Sequence, residues 1–165
     1  MPVFCVLPDG GFTYIISEVI FVVVPSGPLA AIASIKGENG LRGTVKFYPV
    51  DCGTLIAADL TGLPESESGF FALHIHEGKN CTGKGFPNTG GHYNPEDTPH
   101  PRHAGDLPPL LSENGRAFLA ARTGRFAVWD VIGRTVVIHS GTDDFHSQPA
   151  GNAGEKIGCG EIKAY

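Results

Sequence analysis

The chain has 165 residues, including 23 glycines and 13 prolines, and its net charge is −5. This length suits one domain with a hydrophobic core. High glycine and proline with only 18% charged residues favours short strands joined by turns and long loops over helices. A nucleic-acid partner is not expected, because an acidic chain without a basic stripe cannot displace counterions from phosphates.

Residues 1–29 are interpreted as an N-terminal extension of uncertain status, and residues 30–165 as a single domain. The apolar run Val19-Ile-Phe-Val-Val-Val24 is too short to span a membrane, so no membrane span is expected. No lysine or arginine precedes Lys36, so the basic region of a signal peptide is missing, although Ala31-Ile-Ala33 has the form of a cleavage site. The compartment is therefore unknown: a cytoplasmic location is slightly favoured, and a periplasmic or extracellular one stays open.

From residue 30 onward the pattern is that of an all-β fold. Apolar and polar residues alternate over residues 41–48, which predicts a half-buried strand, and Gly37-Glu-Asn-Gly40 before it predicts a hairpin turn. Further strands are predicted over residues 54–60, 71–76, 116–123, 125–132, 135–140 and 159–165. Residues 78–112 and 141–158 are two long polar loops. A loop as long as the first is usually functional or disordered, and its ligand candidates favour function. Several strands separated by turns indicate a sandwich or a Greek-key barrel.

Six of the seven histidines are candidate metal ligands. His74 and His76 alternate with apolar residues on one predicted strand, so their side chains share a face and can bind one ion. His139 at the end of another strand and His92 in the first loop would complete a set of four imidazoles. Such a set suits Cu(II) in a tetragonal arrangement.

A second donor set follows in the first loop. His100, His103 and Asp106 are spaced three and three, and with His92 they form a closed set of three nitrogens and one carboxylate that suits structural zinc. His92 would then bridge both ions. Each motif alone also fits histidines on a solvated strand face or in a loop, without a ligand role. His146 has no partner in this scheme and is interpreted as a surface residue.

The four cysteines form no C-x-x-C pair, which argues against a zinc ribbon and a thioredoxin-type redox centre. One long-range disulfide is compatible with the count, but counting does not assign it.

Several ordered motifs run through the histidine-rich part of the chain. They are His74-Ile-His-Glu77, Gly91-His-Tyr-Asn-Pro95, His103-Ala-Gly-Asp-Leu107, Ile132-Gly-Arg-Thr-Val-Val-Ile-His139, Asp143-Asp144, and Gly151-Asn-Ala-Gly154 followed by Gly158-Cys-Gly160. Over roughly residues 30–165 the chain thereby resembles the copper–zinc superoxide dismutase family. Gly90-Gly-His-Tyr93 and His103-Ala-Gly-Asp-Leu-Pro108 are more similar to its bacterial branch.

The resemblance implies an eight-stranded Greek-key β-barrel with two long functional loops. It also implies copper and zinc as cofactors, and disproportionation of superoxide anion into dioxygen and hydrogen peroxide while copper alternates between Cu(II) and Cu(I). Carried over by position, copper binds His74, His76, His92 and His139, and zinc binds His92, His100, His103 and Asp106. His92 would be catalytic, because it would carry a proton after copper is reduced. A homodimer is a possible assembly.

Three further positions follow from the same resemblance. Asp143 matches the residue that links a copper ligand to a zinc ligand and orients both imidazoles. Cys81 and Cys159 match the family's intrachain disulfide. Cys5 and Cys52 have no counterpart, so Cys52 is expected to be a buried thiol and Cys5 to lie in an untethered terminus.

The chain departs from the family pattern in two places. Only Pro101-Arg102 separates His100 from His103, a shorter stretch than in most members. Lys156 stands where the family usually has arginine, so it is the second catalytic candidate. It keeps a cation that attracts and docks the anion but loses the planar fork of donors, so a lower rate is expected, not loss of chemistry.

Two alternatives belong to the same fold. One is a copper carrier or a partner domain that loads copper into another dismutase, and the other is a zinc-only binding domain. All four copper ligands are present and a separate thiol motif is missing, which favours the enzyme over both.

Overall fold

The computed structural model describes residues 27–165. Cys5 and the apolar run of residues 19–24 lie outside this part of the chain. Besides two 3-10 turns, Glu38–Gly40 and Pro87–Thr89, the described part contains nine strands and one short α-helix. Their order is β1 (Ala31–Gly37), β2 (Arg42–Val50), β3 (Gly53–Thr61), β4 (Phe70–Phe71), β5 (Leu73–His76), β6 (Leu110–Glu113), β7 (Arg116–Thr123), α1 (Val128–Val131), β8 (Thr135–His139) and β9 (Lys156–Ala164).

The strands form one antiparallel sheet that closes almost completely on itself. Its spatial order is β4-β6-β7-β3-β2-β1-β9-β8-β5, so the two outermost strands are β4 and β5, which are consecutive in the chain. Only Ala72 separates them: its amide donates to Gly141, and its carbonyl accepts from His139. The predicted Greek-key barrel is confirmed. Nine strands are found instead of eight because one strand changes partner at Ala72, pairing with β6 before it and with β8 after it.

The core fills the inside of this barrel through the period-2 alternation of the strands. Val45 and Phe47 of β2, together with Leu73 and Ile75 of β5, are fully buried. Burying each such side chain contributes about 1.5–3 kcal/mol. Because Leu73 and Ile75 point inward, their neighbours His74 and His76 point to the other side of the barrel wall.

One predicted strand is wrong. Residues 125–132 contain helix α1 instead, with Val128 and Val131 buried three residues apart on one face. The carboxylate of Asp130 accepts a hydrogen bond from the amide of Ala127 at 2.8 Å, which caps the first turn. A short apolar run does not distinguish a strand from one helical turn, and here the local cap decides.

The two predicted loops are present, and each ends three residues earlier than expected. The first ends where β6 begins at Leu110, and the second ends where β9 begins at Lys156. A disulfide joins Cys81 in the first loop to Cys159 in β9, as the resemblance implied. The expectation for Cys52 is wrong, because this residue lies on the exposed turn between β2 and β3 and is not a free thiol.

Among residues 27–165, no helix has both the length and the apolar character that crossing a membrane requires.

Candidate metal centre

The four predicted copper ligands meet on the outer side of the barrel wall. β5 contributes His74 and His76, β8 ends at His139, and the first loop brings His92 against them. One ring nitrogen of each of these four buried residues lies within 4.8 Å of the others. We call this set, His74, His76, His92 and His139, the four-histidine cluster.

The predicted zinc ligands form a second set on the other side of His92. Donor atoms of His92, His100, His103 and Asp106 also lie within 4.8 Å of one another, and we call this set the mixed cluster. The short stretch between His100 and His103 therefore does not prevent the four groups from converging. His92 belongs to both sets, and its Nδ1 lies 2.7 Å from Oδ1 of Asp106.

Backbone carbonyls define the protonated nitrogen in two rings of the four-histidine cluster. Nδ1 of His76 lies 2.9 Å from the carbonyl oxygen of Gly90, and Nδ1 of His139 lies 3.2 Å from that of Gly154. A carbonyl oxygen only accepts, so each Nδ1 carries the hydrogen and each Nε2 carries a lone pair. The two Nε2 atoms are 3.2 Å apart. They are two acceptors facing each other, an arrangement that a cation between them stabilises.

Asp143 connects the two clusters. Its Oδ2 accepts from Nε2 of His74 at 2.8 Å, and its Oδ1 accepts from Nε2 of His100 at 2.9 Å. Burial raises the pKa of Asp143, but the hydrogen bonds from His74, the amide of Phe145 and His100 outweigh it, so this pKa lies well below its usual range. The carboxylate therefore keeps the hydrogens of both imidazoles on Nε2 and leaves their Nδ1 atoms as acceptors.

Three of the free acceptors are buried and lack a hydrogen-bond partner among residues 27–165: Nδ1 of His74, Nε2 of His92 and Nδ1 of His100. Leaving such an atom unsatisfied costs about 1–3 kcal/mol. Nδ1 of His100 also lies 3.1 Å from Oδ2 of Asp106, so a lone pair faces a carboxylate. The donor chemistry fits a metal ion in each cluster: imidazole nitrogens suit copper, and three nitrogens with one carboxylate suit zinc.

The surroundings keep the imidazoles of the four-histidine cluster neutral, which is the form that binds metal. Burial lowers the pKa of His76 to about 2 and that of His139 to about 3. Burial likewise lowers the pKa of His74, although its hydrogen bond to Asp143 acts in the opposite direction.

Lys156 lies beside the four-histidine cluster, at the start of β9 and opposite His139 in the β8–β9 register. Its Nζ donates to Oγ1 of Thr89 at 2.7 Å and to the carbonyl of Gly90 at 3.0 Å. That carbonyl also accepts from His76. Burial lowers the pKa of Lys156. Two of the three ammonium hydrogens are thus engaged by the protein.

Two arginines at the site were not predicted from the sequence. The guanidinium of Arg134 lies 4.0 Å from the centre of the Tyr93 ring, and its Nη1 donates to the carbonyl of Glu77 at 3.1 Å. It thereby contacts the residues that follow His92 and His76. Arg134 lies within the family motif of residues 132–139, which was a usable signal, whereas Arg125, beside the mixed cluster, lies in none of these motifs. His146 is exposed, which confirms its assignment to the surface.

Known proteins with similar sequences agree with this geometry. Residues 41–162 match the model of the copper/zinc superoxide dismutase family. A Cu-Zn superoxide dismutase of Deinococcus radiodurans is 36% identical over 154 residues, covering 80% of this chain and 83% of the relative. Superoxide dismutase [Cu-Zn] 3 of Arabidopsis thaliana is 35% identical over 155 residues, covering 84% and 92%. A copper chaperone for superoxide dismutase of Rattus norvegicus is 34% identical over 147 residues, covering 81% and 52%.

The fold and the two adjoining clusters define a β-barrel protein with donor sets for copper and zinc. The extent of the family match and the identity to the relatives make the assignment specific: the chain belongs to the copper/zinc superoxide dismutase family.

Proposed function

We propose that this chain is a superoxide dismutase that converts two superoxide anions and two protons into dioxygen and hydrogen peroxide. In this proposal copper binds the four-histidine cluster and zinc binds the mixed cluster. The observation that carries it is the pair of buried donor sets that share His92 and present unpartnered nitrogens inward. Bound there, copper supplies one-electron redox chemistry between Cu(II) and Cu(I), and zinc supplies a constant positive charge beside His92.

His92 is the proposed proton carrier. Its Nδ1 is directed at Asp106, which leaves the buried Nε2 for the four-histidine cluster. A proton held at Nε2 therefore lies where a reduced oxygen species needs it, and the second proton comes from solvent. Asp106 lies beside Nδ1, so it and zinc held in the mixed cluster would fix the ring from that side during this exchange.

Lys156 is the proposed docking cation. Its ammonium is held by Thr89 and Gly90 beside His76, so the positive charge has a defined position at the cluster. A fixed cation raises the encounter rate of a small anion even on a protein of net charge −5. Asp143 has a different part, because it orients the rings of His74 and His100.

The decisive experiment measures direct superoxide decay together with metal content. The full chain loaded with copper and zinc should accelerate the decay, and His139→Ala should abolish most of the gain because one of four copper ligands is lost. His146→Ala is the matched control, since this exposed histidine lies outside both clusters. If superoxide decays no faster with the copper-loaded protein than in buffer alone, the enzymatic proposal is refuted.

A copper-loading role is the second candidate, because copper chaperones for superoxide dismutase are 34% identical to this chain over four fifths of its length. The discriminating assay mixes the copper-loaded chain with a metal-free dismutase of different mass and separates the two. Copper transfer without intrinsic superoxide decay would favour the chaperone role over the enzyme.

We further propose an oxidising compartment instead of the cytoplasm, because the Cys81–Cys159 disulfide is typical of such environments. Fractionation of cells that express the full chain tests this. A purely cytoplasmic protein with both thiols reduced would contradict it.

The homodimer stays a prediction from the resemblance. Sedimentation velocity on the metal-loaded chain should give twice the 17.4 kDa of one chain, and a single species at 17.4 kDa at all concentrations would refute it.

A further inference from the structure

The loop of residues 100–106 carries three of the four donors of the mixed cluster in seven residues. Its backbone folds tightly: the amide of Arg102 donates to Pro99 at 2.9 Å, and the amide of Asp106 donates to His103 at 3.2 Å. The amide of His103 also donates to Oδ2 of Asp106 at 3.0 Å. These local bonds turn the side chains toward the cluster. The carbonyl of His103 accepts a bond within the loop, whereas those of Pro101 and Asp106 have no partner inside it.

Arg125, two residues after β7, places a shared donor beside these three carbonyls. Its Nη1 lies 3.0 Å from the carbonyl oxygen of Pro101, 3.0 Å from that of His103 and 3.3 Å from that of Asp106. Three carbonyls of one loop therefore converge on a single guanidinium nitrogen. Two of the three belong to ligand residues, and the third belongs to the short link between His100 and His103.

The charge of the guanidinium matters here as well as its hydrogens. Three carbonyl dipoles with their negative ends directed at one point repel one another unless a donor lies between them. Hydrogen bonds from an ionised donor are stronger than those between neutral groups, so a guanidinium suits this position better than a neutral side chain. It acts from outside the cluster, through the backbone that bears the ligands, and does not touch the donor atoms themselves.

We propose that Arg125 is a positioning residue for zinc: it holds the short 100–106 loop in the conformation that brings His103 and Asp106 together with His92. This inference rests on the proposed function for the identity of the metal. The consequence is selective. Loss of the guanidinium should loosen the mixed cluster, while the four-histidine cluster keeps His74, His76 and His139 on β5 and β8.

The test uses the full chain, first freed of metal, in three variants. Arg125→Ala removes the guanidinium, and Arg125→Lys keeps a cation that reaches fewer of the carbonyls. Arg122→Ala is the control, because Arg122 is an exposed arginine three residues earlier whose guanidinium donates to Asp51 instead of the loop. Zinc affinity is measured by competition with a chromophoric chelator, copper affinity by a separate competition, and melting of the metal-free chain by circular dichroism.

In Arg125→Ala, zinc affinity should fall about 10- to 100-fold, the usual effect of removing a residue that supports ligands from outside. Arg125→Lys should recover part of the loss, and Arg122→Ala should match the wild type. Copper affinity and the melting temperature of the metal-free Arg125→Ala chain should change much less. Zinc affinity within twofold of wild type would overturn the proposal, as would parallel losses of zinc affinity, copper affinity and metal-free stability.

A spectroscopic measurement separates the position of the ligands from the overall fold. Co(II) in place of zinc should show the visible bands of a tetrahedral site in the wild type, and these bands should weaken or shift in Arg125→Ala. Unchanged bands would overturn the proposal.

The outcome is independent of catalysis, because no superoxide is used. A wild-type chain that binds zinc but does not dismutate superoxide refutes the proposed function and leaves the role of Arg125 testable. A fully active enzyme whose Arg125→Ala variant binds zinc normally refutes only the role of Arg125.

Discussion

Replacing Asp143 with asparagine tests how the two clusters are connected. The buried carboxylate accepts three hydrogen bonds, from Nε2 of His74 at 2.8 Å, from Nε2 of His100 at 2.9 Å and from the amide of Phe145 at 2.7 Å. Asparagine has the same size but only one accepting oxygen, so its NH₂ group must face one of these donors. One imidazole therefore loses its partner or changes its protonated nitrogen.

We expect His100 to be affected more than His74. His74 lies on β5, whose ladder to β8 holds its backbone in place, whereas His100 lies in a loop and its ring depends on Asp143 for orientation. A lost bond to a charged partner is worth about 1.5–3 kcal/mol. Zinc affinity should therefore fall about 10- to 100-fold, and copper affinity should fall less.

The assay is chelator competition on the metal-free chain, once with zinc and once with copper. Asp144→Asn is the control, since this neighbouring carboxylate accepts from His146 and Ser147 in its own turn and from no ligand of either cluster. An Asp143→Asn variant with zinc affinity within twofold of wild type, or with a larger loss of copper than of zinc, would refute the reasoning.

Three further predictions concern the docking cation, the disulfide and the second unforeseen arginine. Lys156→Arg should raise the rate of superoxide decay, because the guanidinium keeps the charge and adds a planar fork of donors; an unchanged rate in stopped-flow measurements would make Lys156 a bystander. Cys81→Ser combined with Cys159→Ser should lower the free energy of unfolding by about 4 kcal/mol, since the bond closes a loop with a sequence separation of 78. Urea unfolding of the metal-free chain measures this, and a loss below about 1 kcal/mol would contradict the chain-entropy argument. In the same assay, Arg134→Ala should lower the free energy of unfolding by about 1–2 kcal/mol, because the contact with the Tyr93 ring and the hydrogen bond to Glu77 disappear together. Arg134→Lys should retain part of this stabilisation.

Local patterns in the sequence were enough to predict the strands that carry ligands. Alternation of apolar residues with His74 and His76 predicted one strand with both imidazoles on its outer face, and the structure shows this for β5. The run that ends at His139 was likewise predicted as a strand. These predictions succeed because side-chain direction in a strand depends only on the position along the chain. The same logic fails for residues 125–132, where a side-chain cap at Asp130 selects a helical turn.

The sequence by itself determined which side chains could bind metal, because donor chemistry belongs to the residue type and the ordered motifs identify the family. The tertiary structure decided how those donors are directed. The carbonyls of Gly90 and Gly154 determine which ring nitrogen of His76 and His139 is protonated. Asp143 does the same for His74 and His100. The change of strand partner at Ala72 closes the barrel beneath these rings. The hydrogen bonds from Arg125 to the carbonyls of the 100–106 loop are likewise a feature of the tertiary structure. These contacts join residues that are far apart in the chain, and most of them use backbone atoms that every residue has. A sequence pattern therefore does not predict them.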